Sequence, residues 1–462
     1  MTKKIRAAIL VASTAVFLIT APALVLYSHG YRFDFKIGKV AKVGGLYIRA
    51  LPKTSEIFVD NSLKKRTDFL FGTALVENLL PKEYLVQIKK TGYQTWQKNL
   101  EVKAGSVVEA NDVLLFPEKA DLQTLTNVVG SFFPVESGKK TILIKKDSAG
   151  LYLTLLDLED NVEKVILKQK DIAKNSSVSF LDVQWSNDSQ MILIDAAVKE
   201  TEKFYLVNPQ DQPIKPTPID FSGNGNIDKV DFSPFEHGQM IILSREKIFT
   251  YNLQTKKSDL AFDNVVAFKT LETDFYFLDK QGFVWKTTSP NSDNLQKLNQ
   301  TNLEIKPETD YQLEIIGQRI FLKQNDILFL LDDKTKDFSK VIDNASEFTV
   351  SGDGRKLAYL NQGEIWVDYL EGELGQPQKD QGEKNLLARF SEKTSQLFWL
   401  DNNHLMFVWN DQIKAIETDT RDKPNIMDIG SFDSPRIFWS TQNKNALVLT
   451  KDNLSILTNL FP

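Results

Sequence analysis

The side chains that could carry out catalysis or bind a metal are few in this chain of 462 residues. Cysteine is absent, and histidine occurs only as His29, His237 and His404. Disulfides, zinc ribbons, thiol catalysis and histidine-rich metal sites therefore cannot be built. The sequence also has no G-x-S-x-G and no H-E-x-x-H segment, so a nucleophile elbow and a zinc-protease helix are excluded. We predict no catalytic residue, no cofactor and no metal ion.

Acidic and glycine-rich segments are the remaining candidates for chemistry. Asp188 and Asp353 stand among Asn, Ser and Gly residues, but neither begins an EF-hand ligand pattern, so we predict tight turns. Asp332 and Asp333 are adjacent, and neighbouring side chains of a strand point to opposite faces, which is poor geometry for shared acid–base catalysis. Gly223-Asn224-Gly225 lacks the third glycine and the following helix of a dinucleotide site. None of these segments predicts a site.

The charge balance argues against a polynucleotide partner. Lys and Arg number 56 against 61 Asp and Glu, a formal net charge of −5, so the chain lacks the broad basic field of nucleic-acid-binding proteins. The average conceals a split, because residues 1–117 carry 17 basic and 9 acidic side chains whereas the remainder carries 39 and 52. The amino-terminal part is basic and the rest is acidic.

Residues 7–27 form an uncharged, apolar run of 21 residues. As a helix this run is about 31 Å long, which matches the hydrocarbon core of a bilayer. We predict a transmembrane signal anchor; the alternatives are a cleaved signal peptide, with small residues at Ala21-Pro22-Ala23, and a buried globular helix. The predicted membrane-anchoring side chains are Ile9, Leu10, Val11, Val16, Phe17, Leu18, Ile19, Leu24, Val25 and Leu26.

The predicted orientation of the apolar segment in the membrane follows from the short stretch of chain that precedes it. Only six residues precede it, so the simplest arrangement has a cytoplasmic amino terminus and exports everything after Tyr27. Basic residues flank both ends of the run, and the positive-inside rule does not separate its two sides. We expect a single-pass protein of the cell membrane with extracytoplasmic carboxy-terminal domains.

A small β module is predicted next to the membrane. Residues 45–117 contain short runs with period-two alternation, separated by Pro, Gly and Asn residues. In YLVQIKK, for instance, Tyr84, Val86 and Ile88 are predicted to face inward. The pattern predicts a sandwich of six or seven strands.

This module resembles PEGA domains over about 70 residues. The residues that carry the resemblance are Val59-Asp60-Asn61, Leu79 to Tyr84 and Lys90 to Tyr93. It departs at Pro52 to Ser55, where the family has its eponymous tetrapeptide, and at Lys82 and Glu83, where the family usually has one glycine. The segment Gly30 to Phe35, directly after an anchor, is similar to membrane-anchored bacterial PEGA proteins. The resemblance implies a noncatalytic surface module.

Beyond residue 120 a weak unit of strand, turn and strand recurs about every 44 residues. A period of about 40 to 45 residues is typical of β-propellers. We predict eight blades, or seven if the degenerate copies are divided wrongly, with Leu122 to Val129 as the strand that closes the ring. The turns of the eight units are predicted at Pro134, Ser186, Ser233, Lys269, Ile316, Ser351, Leu400 and Ser440.

Two of these turns carry a family resemblance. Trp185 to Ser189 and Ser351 to Leu357 are similar to WD-like and Tol-type propeller repeats of bacterial envelope proteins. Their Asn, Asp and Gly residues suit compact hairpins. The recurring tryptophans, such as Trp185 and Trp399, are predicted to pack between blades rather than to form a ligand floor.

The predicted fold class is therefore all-β after one transmembrane helix. The predicted domains are a cytoplasmic amino terminus at 1–6, the signal anchor at 7–27, a juxtamembrane linker at 28–44, the PEGA-like sandwich at 45–117 and the propeller at 118–462.

We expect a membrane-anchored envelope protein whose propeller binds a protein or an envelope polymer without catalysis. The predicted partners are the lipid bilayer, through the amino-terminal helix, and an unidentified envelope protein or polymer, with no nucleic acid. The alternatives are a glycan-active propeller, a lyase or hydrolase with converging carboxylates, and an assembly scaffold that binds no small ligand.

Leu18→Arg tests the predicted anchor. A charge at the bilayer centre costs about 2.5–3.5 kcal/mol and the favourable Leu is lost, so membrane insertion should be impaired. The parent protein should fractionate with membranes and resist extraction by high salt, because apolar insertion is not screened. Normal membrane retention of Leu18→Arg would contradict the assigned segment.

Overall fold

The computed structural model of the chain describes residues 3–35, 38–135, 137–174, 176–221, 225–291 and 294–461. Residues 1 and 2 of the predicted cytoplasmic segment, and Gly223 and Asn224 of the glycine-containing loop, lie outside the described residues. The described chain consists mostly of β-strands that follow one long amino-terminal helix. The predicted all-β fold class is confirmed.

Helix α1, Lys3–Ser28, contains the predicted anchor and extends beyond it at both ends. None of its residues is buried, which contradicts a globular core helix. Ser13 and Thr20 donate their hydroxyl groups to the carbonyls of Leu10 and Val16, 2.9 and 2.8 Å away, so these polar groups are satisfied within the helix. Among the described residues, α1 alone is long and apolar enough to cross a membrane, and a signal sequence has the same properties.

A hairpin and two small sheets follow α1. The hairpin consists of β1 (Tyr31–Asp34) and β2 (Lys39–Lys42). The next strands along the chain are β3 (Gly44–Leu51), β4 (Glu56–Val59), β5 (Ser62–Arg66), β6 (Thr73–Leu79), β7 (Lys82–Lys89), β8 (Trp96–Val102) and β9 (Val107–Leu114). They form one sheet in the order β6-β3-β9 and another in the order β5-β4-β7-β8.

Alternating side chains of these two sheets build a common core. Tyr84, Val86 and Ile88 of β7 are buried, as the sequence predicts. They share a cluster with apolar side chains of β3, β6 and β9, so the sheets pack face to face. In β8 the alternation buries Trp96 and also Lys98, the one charged side chain on the inner face of this strand.

Strand β10 (Asp121–Thr126) leads into the large ring, whose described residues form eight four-stranded sheets, here called blades 1 to 8. Blade 1 is β11 (Val129–Pro134), β12 (Lys140–Asp147), β13 (Gly150–Asp157) and β14 (Val162–Lys168), followed by the short helix α2 (Gln169–Ile172). Blade 2 is β15 (Val178–Trp185), β16 (Ile192–Val198), β17 (Thr201–Val207) and β18 (Thr217–Pro218). Blade 3 is β19 (Lys229–Phe232), β20 (Gln239–Ser244), β21 (Lys247–Asn252) and β22 (Ser258–Asp263). Blade 4 is β23 (Val265–Leu271), β24 (Asp274–Asp279), β25 (Val284–Thr287) and β26 (Gln296–Lys297).

The second half of the ring repeats the same order. Blade 5 is β27 (Tyr311–Ile316), β28 (Arg319–Gln324), β29 (Ile327–Leu331) and β30 (Phe338–Ile342). Blade 6 is β31 (Glu347–Val350), β32 (Lys356–Asn361), β33 (Glu364–Tyr369) and β34 (Lys384–Arg389). Blade 7 is β35 (Thr394–Trp399), β36 (His404–Trp409), β37 (Gln412–Glu417) and β38 (Ile426–Ser431). Blade 8 is β39 (Arg436–Ser440), β40 (Asn445–Thr450), β41 (Asn453–Thr458) and the early strand β10.

The ring closes between blades 8 and 1. Strand β10 pairs antiparallel with β41, and Leu122 lies opposite Leu457. The predicted closing strand is thus confirmed, although Val129 belongs to β11 of blade 1. Buried apolar clusters fill the interfaces between neighbouring blades all around the ring. At the closure, Leu143 of blade 1 shares such a cluster with Leu454 of blade 8.

The predicted turns lie where the first strand of each blade ends, with one exception. Lys269 lies inside β23, and the turn of blade 4 is at Glu272 and Thr273. The predicted packing role of tryptophans is also confirmed at two positions. Trp185 Nε1 donates to the carbonyl of Phe133 in the preceding blade, and Trp399 Nε1 does the same to Thr349, each at 3.2 Å.

Leu454→Ala tests the closure of the ring. The side chain is fully buried between blades 8 and 1, so its truncation should lower the free energy of unfolding by about 2–5 kcal/mol. Leu122→Ala is the matched control, because Leu122 of β10 is exposed and should change the free energy by less than about 1 kcal/mol. Denaturant unfolding measures both, and equal effects would contradict closure at this interface.

Candidate functional site

The sandwich meets the propeller through β8 and β9, at the sheet edges away from β5 and β6. Lys98 of β8 is fully buried, and its ammonium group lies 2.8 Å from Glu417 Oε1 at the end of β37. The same group donates to the carbonyls of Asp419, Arg421 and Lys423 at 2.7, 2.9 and 2.6 Å. The loop between β37 and β38 therefore wraps around a lysine of the sandwich.

Glu417, the partner of Lys98, accepts hydrogen bonds at both of its carboxylate oxygens. Its Oε2 accepts a 2.7 Å hydrogen bond from Trp96 Nε1, and its Oε1 accepts from the backbone and side-chain nitrogens of Asn425. Burying an ion pair costs several kcal/mol unless polar partners replace the lost water. Both ions have such partners only when the sandwich is docked on blade 7, so the pair fixes the position of one module on the other.

Further contacts extend this interface. Gln376, from the loop between β33 and β34, donates to the carbonyl of Val107 at 3.0 Å and accepts from the amide of Glu109 at 3.1 Å. Arg421 donates to the carbonyl of Glu109 at 2.8 Å. Phe116 belongs to the apolar cluster that joins the sandwich to blades 7 and 8. Because Phe116 is shared in this way, the predicted domain boundary at residue 117 stays a prediction.

A cavity of about 240 Å³ lies where the sandwich meets blades 6 and 7. Its lining includes two arginines and four carboxylates, the combination that a glycan-active enzyme would need. Each carboxylate, however, already pairs with a cation. The pairs are Asp112 with Arg49, Glu373 with Lys356, Glu417 with Lys98 and Asp419 with Arg421. The network holds the interface together and leaves no unpaired carboxylate for acid–base catalysis.

A second acidic group lies between blades 2 and 3. Burial, together with the neighbouring carboxylates of Glu202 and Asp182, raises the pKa of Asp195 to about 7. The cavity beside it has a volume of about 120 Å³, which is well below the roughly 300 Å³ of the smallest usual ligand pockets. The cavity beside Asp195 is therefore too small to serve as a sugar-binding site.

A larger, apolar cleft opens on the ring face formed by the turns between the first and second strands of the blades. We call this face the first-turn face and the cleft the first-turn cleft. Its volume is about 690 Å³, and it is bordered by the first turns of blades 2, 3 and 4. The apolar lining residues are Met191, Phe232, Pro234, Phe235 and Leu253. Polar groups at the rim include Asp188, Glu236, His237 and Glu272.

The turns around the cleft are held by their own side chains. Asp188 Oδ1 accepts a 2.5 Å hydrogen bond from Ser186 Oγ and a 3.0 Å bond from the amide of Gln190. These bonds lower the pKa of Asp188, the Ser186 hydroxyl having the largest effect. In blade 6, outside the cleft, Asp353 accepts similar bonds from Ser351 Oγ and the amide of Arg355. Both residues form tight turns, as the sequence predicts.

The three histidines have separate positions. His29 lies at the end of α1, with Nδ1 2.9 Å from the carbonyl of Val25, and His237 is exposed at the cleft rim. His404 is buried beside Phe116, where burial lowers its pKa but the Asp401 carboxylate, 3.0 Å away, outweighs this effect and raises it. The structure does not bring the histidines together, and no cluster of His, Asp and Glu suited to a metal ion occurs among the described residues.

No family model and no curated protein matches the chain. Solved propeller structures are similar to it at low identity. The carboxy-terminal WD40 domain of Sif2 has a TM-score of 0.48 and 12% identity, covering 74% of this chain and 99% of its own. The Dos1 propeller has a TM-score of 0.48 and 10% identity, covering 74% and 96%. The WD40 domain of SCAP from fission yeast has a TM-score of 0.42 and 9% identity, covering 74% and 98%. The propeller assignment rests on the blades and their closure.

Lys98→Met tests the interface between sandwich and propeller. Removing the ammonium leaves the Glu417 carboxylate buried without its cation, so the free energy of unfolding should fall by about 3–5 kcal/mol. Adding Glu417→Gln should recover part of this loss, because the unpaired charge is then removed.

Lys103→Met is the control for the Lys98 variant. Lys103 is an exposed lysine of the sandwich, 3.9 Å from Glu101, and its removal should cost less than about 1 kcal/mol. Denaturant unfolding of the three variants and the parent measures these differences. A Lys98→Met protein as stable as the Lys103→Met protein would show that the buried pair does not hold the modules together.

Proposed function

We propose that this protein is a noncatalytic binding protein, anchored in the cell membrane, whose first-turn cleft receives an apolar segment of an envelope protein. The observation that carries the proposal is the cleft itself. Its volume of about 690 Å³ lies within the roughly 300–1,000 Å³ of ordinary ligand sites, and its floor is apolar while its rim is polar. An apolar surface left open to water between the turns of neighbouring blades is typical of a binding site.

The position of the cleft supports a macromolecular partner. The sandwich covers blades 6 and 7 of the first-turn face, whereas the cleft lies on blades 2 to 4 of the same face. It is therefore open to a partner that approaches past the sandwich. The glycan-active alternative has less support, because the carboxylates of the cavity at the interface are paired and the cavity beside Asp195 is small.

The proposed location rests on α1 and on sequence resemblance. The apolar helix, none of whose residues is buried, supports a signal anchor, and the two small sheets support the resemblance to PEGA modules of membrane-anchored bacterial proteins. In this arrangement the amino terminus is cytoplasmic and the acidic propeller faces the outside of the membrane.

A photo-crosslinking amino acid at His237 tests the proposed binding site. In intact cells it should form a defined adduct with a protein, and Thr273→Trp, which places a large ring at the cleft, should abolish the adduct. The control position is Lys451, an exposed residue of blade 8 outside the cleft. Crosslinking that is equal at both positions, or that is insensitive to Thr273→Trp, would contradict a partner in the cleft.

A further inference from the structure

The loop between β5 and β6 presents three consecutive apolar side chains to solvent. Phe69, Leu70 and Phe71 are 72%, 57% and 72% exposed. No packing within the described chain explains these side chains, because the core of the sandwich is complete without them. We call residues 69–71 the apolar tip.

The apolar tip is held in a fixed conformation. Asp68 Oδ1 accepts hydrogen bonds from the amides of Leu70 and Phe71 at 2.8 and 2.6 Å, and Oδ2 accepts from the amide and hydroxyl of Thr73. These bonds, the Phe71 amide first, hold the pKa of Asp68 well below its usual range. Gly72 has a positive φ of 72°, and a Cβ there would lie 2.6 Å from the carbonyl oxygen of Ala50. Because the loop is already rigid, it loses little conformational entropy when its apolar side chains are buried in an apolar environment.

Besides the Asp68 carboxylate and Glu56, which pairs with Arg66 at 2.6 Å, the charged side chains near the tip are basic. Strand β5 is exposed along its whole length and ends in Lys64, Lys65 and Arg66. Lys53 donates from its ammonium group to the carbonyl of Leu70 at 2.7 Å. Apolar side chains beside lysine and arginine are typical of a surface that lies on anionic lipid headgroups.

The same edge of the sandwich holds the end of the transmembrane helix. Arg32 donates to the carbonyl of Tyr27 in α1 and to Asn78 Oδ1 in β6, each at 2.8 Å. Asn78 and the apolar tip lie at opposite ends of β6, whose residues Thr73 and Asn78 alone are about 17 Å apart at the usual rise of a strand. The propeller is bound at the other edges, by β8 and β9. The β5–β6 edge of the sandwich therefore carries the helix attachment, the basic strand and the tip. This edge points away from the propeller.

We propose that this β5–β6 edge lies on the bilayer that α1 crosses, with the apolar tip inserted among the lipid headgroups of an anionic membrane. The inference rests on the proposed anchoring of α1 and adds a second contact with the membrane. Two contacts at opposite ends of β6 hold the sandwich, and the propeller fixed to it, at a defined tilt to the membrane.

Fluorescent labelling of single cysteines tests this contact, because the natural chain contains no cysteine. The full chain is reconstituted in vesicles of phosphatidylcholine and phosphatidylglycerol, with an environment-sensitive label at Leu70→Cys. Leu18→Cys in α1 reports on the anchor, and Leu374→Cys, which is 93% exposed on the propeller, is the aqueous control. Nitroxide lipids and aqueous iodide are the quenchers.

The proposal predicts that nitroxide lipids quench the labels at residues 18 and 70, and that iodide reaches residue 70 several-fold less than residue 374. Lys64→Glu should weaken the lipid quenching at residue 70, whereas Lys393→Glu on the propeller should not. If residue 18 is quenched by lipid but residue 70 is as open to iodide as residue 374, the second contact is overturned and the anchor stands. If lipid does not quench residue 18, both proposals fall.

Discussion

The buried ion pair between Lys98 and Glu417 is the interaction on which the arrangement of this protein depends. A lysine ammonium with no exposed surface is tolerated only where several acceptors surround it, and the loop of blade 7 supplies three carbonyls besides the carboxylate. Those acceptors converge in one relative position of the two modules. The pair thus fixes the sandwich in one position on the propeller.

This constraint orients the rest of the molecule. The sandwich is bound to the propeller by β8 and β9, so its β5–β6 edge, which holds the end of α1 through Arg32, faces the opposite way. The propeller in turn has blades 6 and 7 covered and blades 2 to 4 open on its first-turn face. The open cleft and the helix attachment are therefore held at a fixed separation.

The ring was predictable from sequence because each blade repeats a local pattern. Turn residues such as Ser351 and Asp353 hydrogen-bond within their own hairpin, so their spacing shows in the chain. The turn of the degenerate blade 4 is at Glu272 and Thr273 rather than at Lys269, and the sequence does not mark it, because neither turn residue is Asn, Asp or Gly. The burial of Lys98 also follows from the sequence pattern. Trp96, Lys98 and Leu100 occupy alternate positions of β8 and therefore face the same, inner side of the sheet. The cleft left no such pattern, because its lining comes from the first turns of three successive blades, and only the packing of blades 2, 3 and 4 against one another brings these turns together.

A distance measurement between the two modules tests the rigid-body account most directly. Spin labels at Lys103→Cys in the sandwich and Lys451→Cys in blade 8 occupy exposed positions, and the chain has no other cysteine. Pulsed electron paramagnetic resonance on the full chain should give a single narrow distance distribution. A broad distribution, as for two modules joined by a flexible linker, would contradict the claim that the buried pair fixes the sandwich on the propeller.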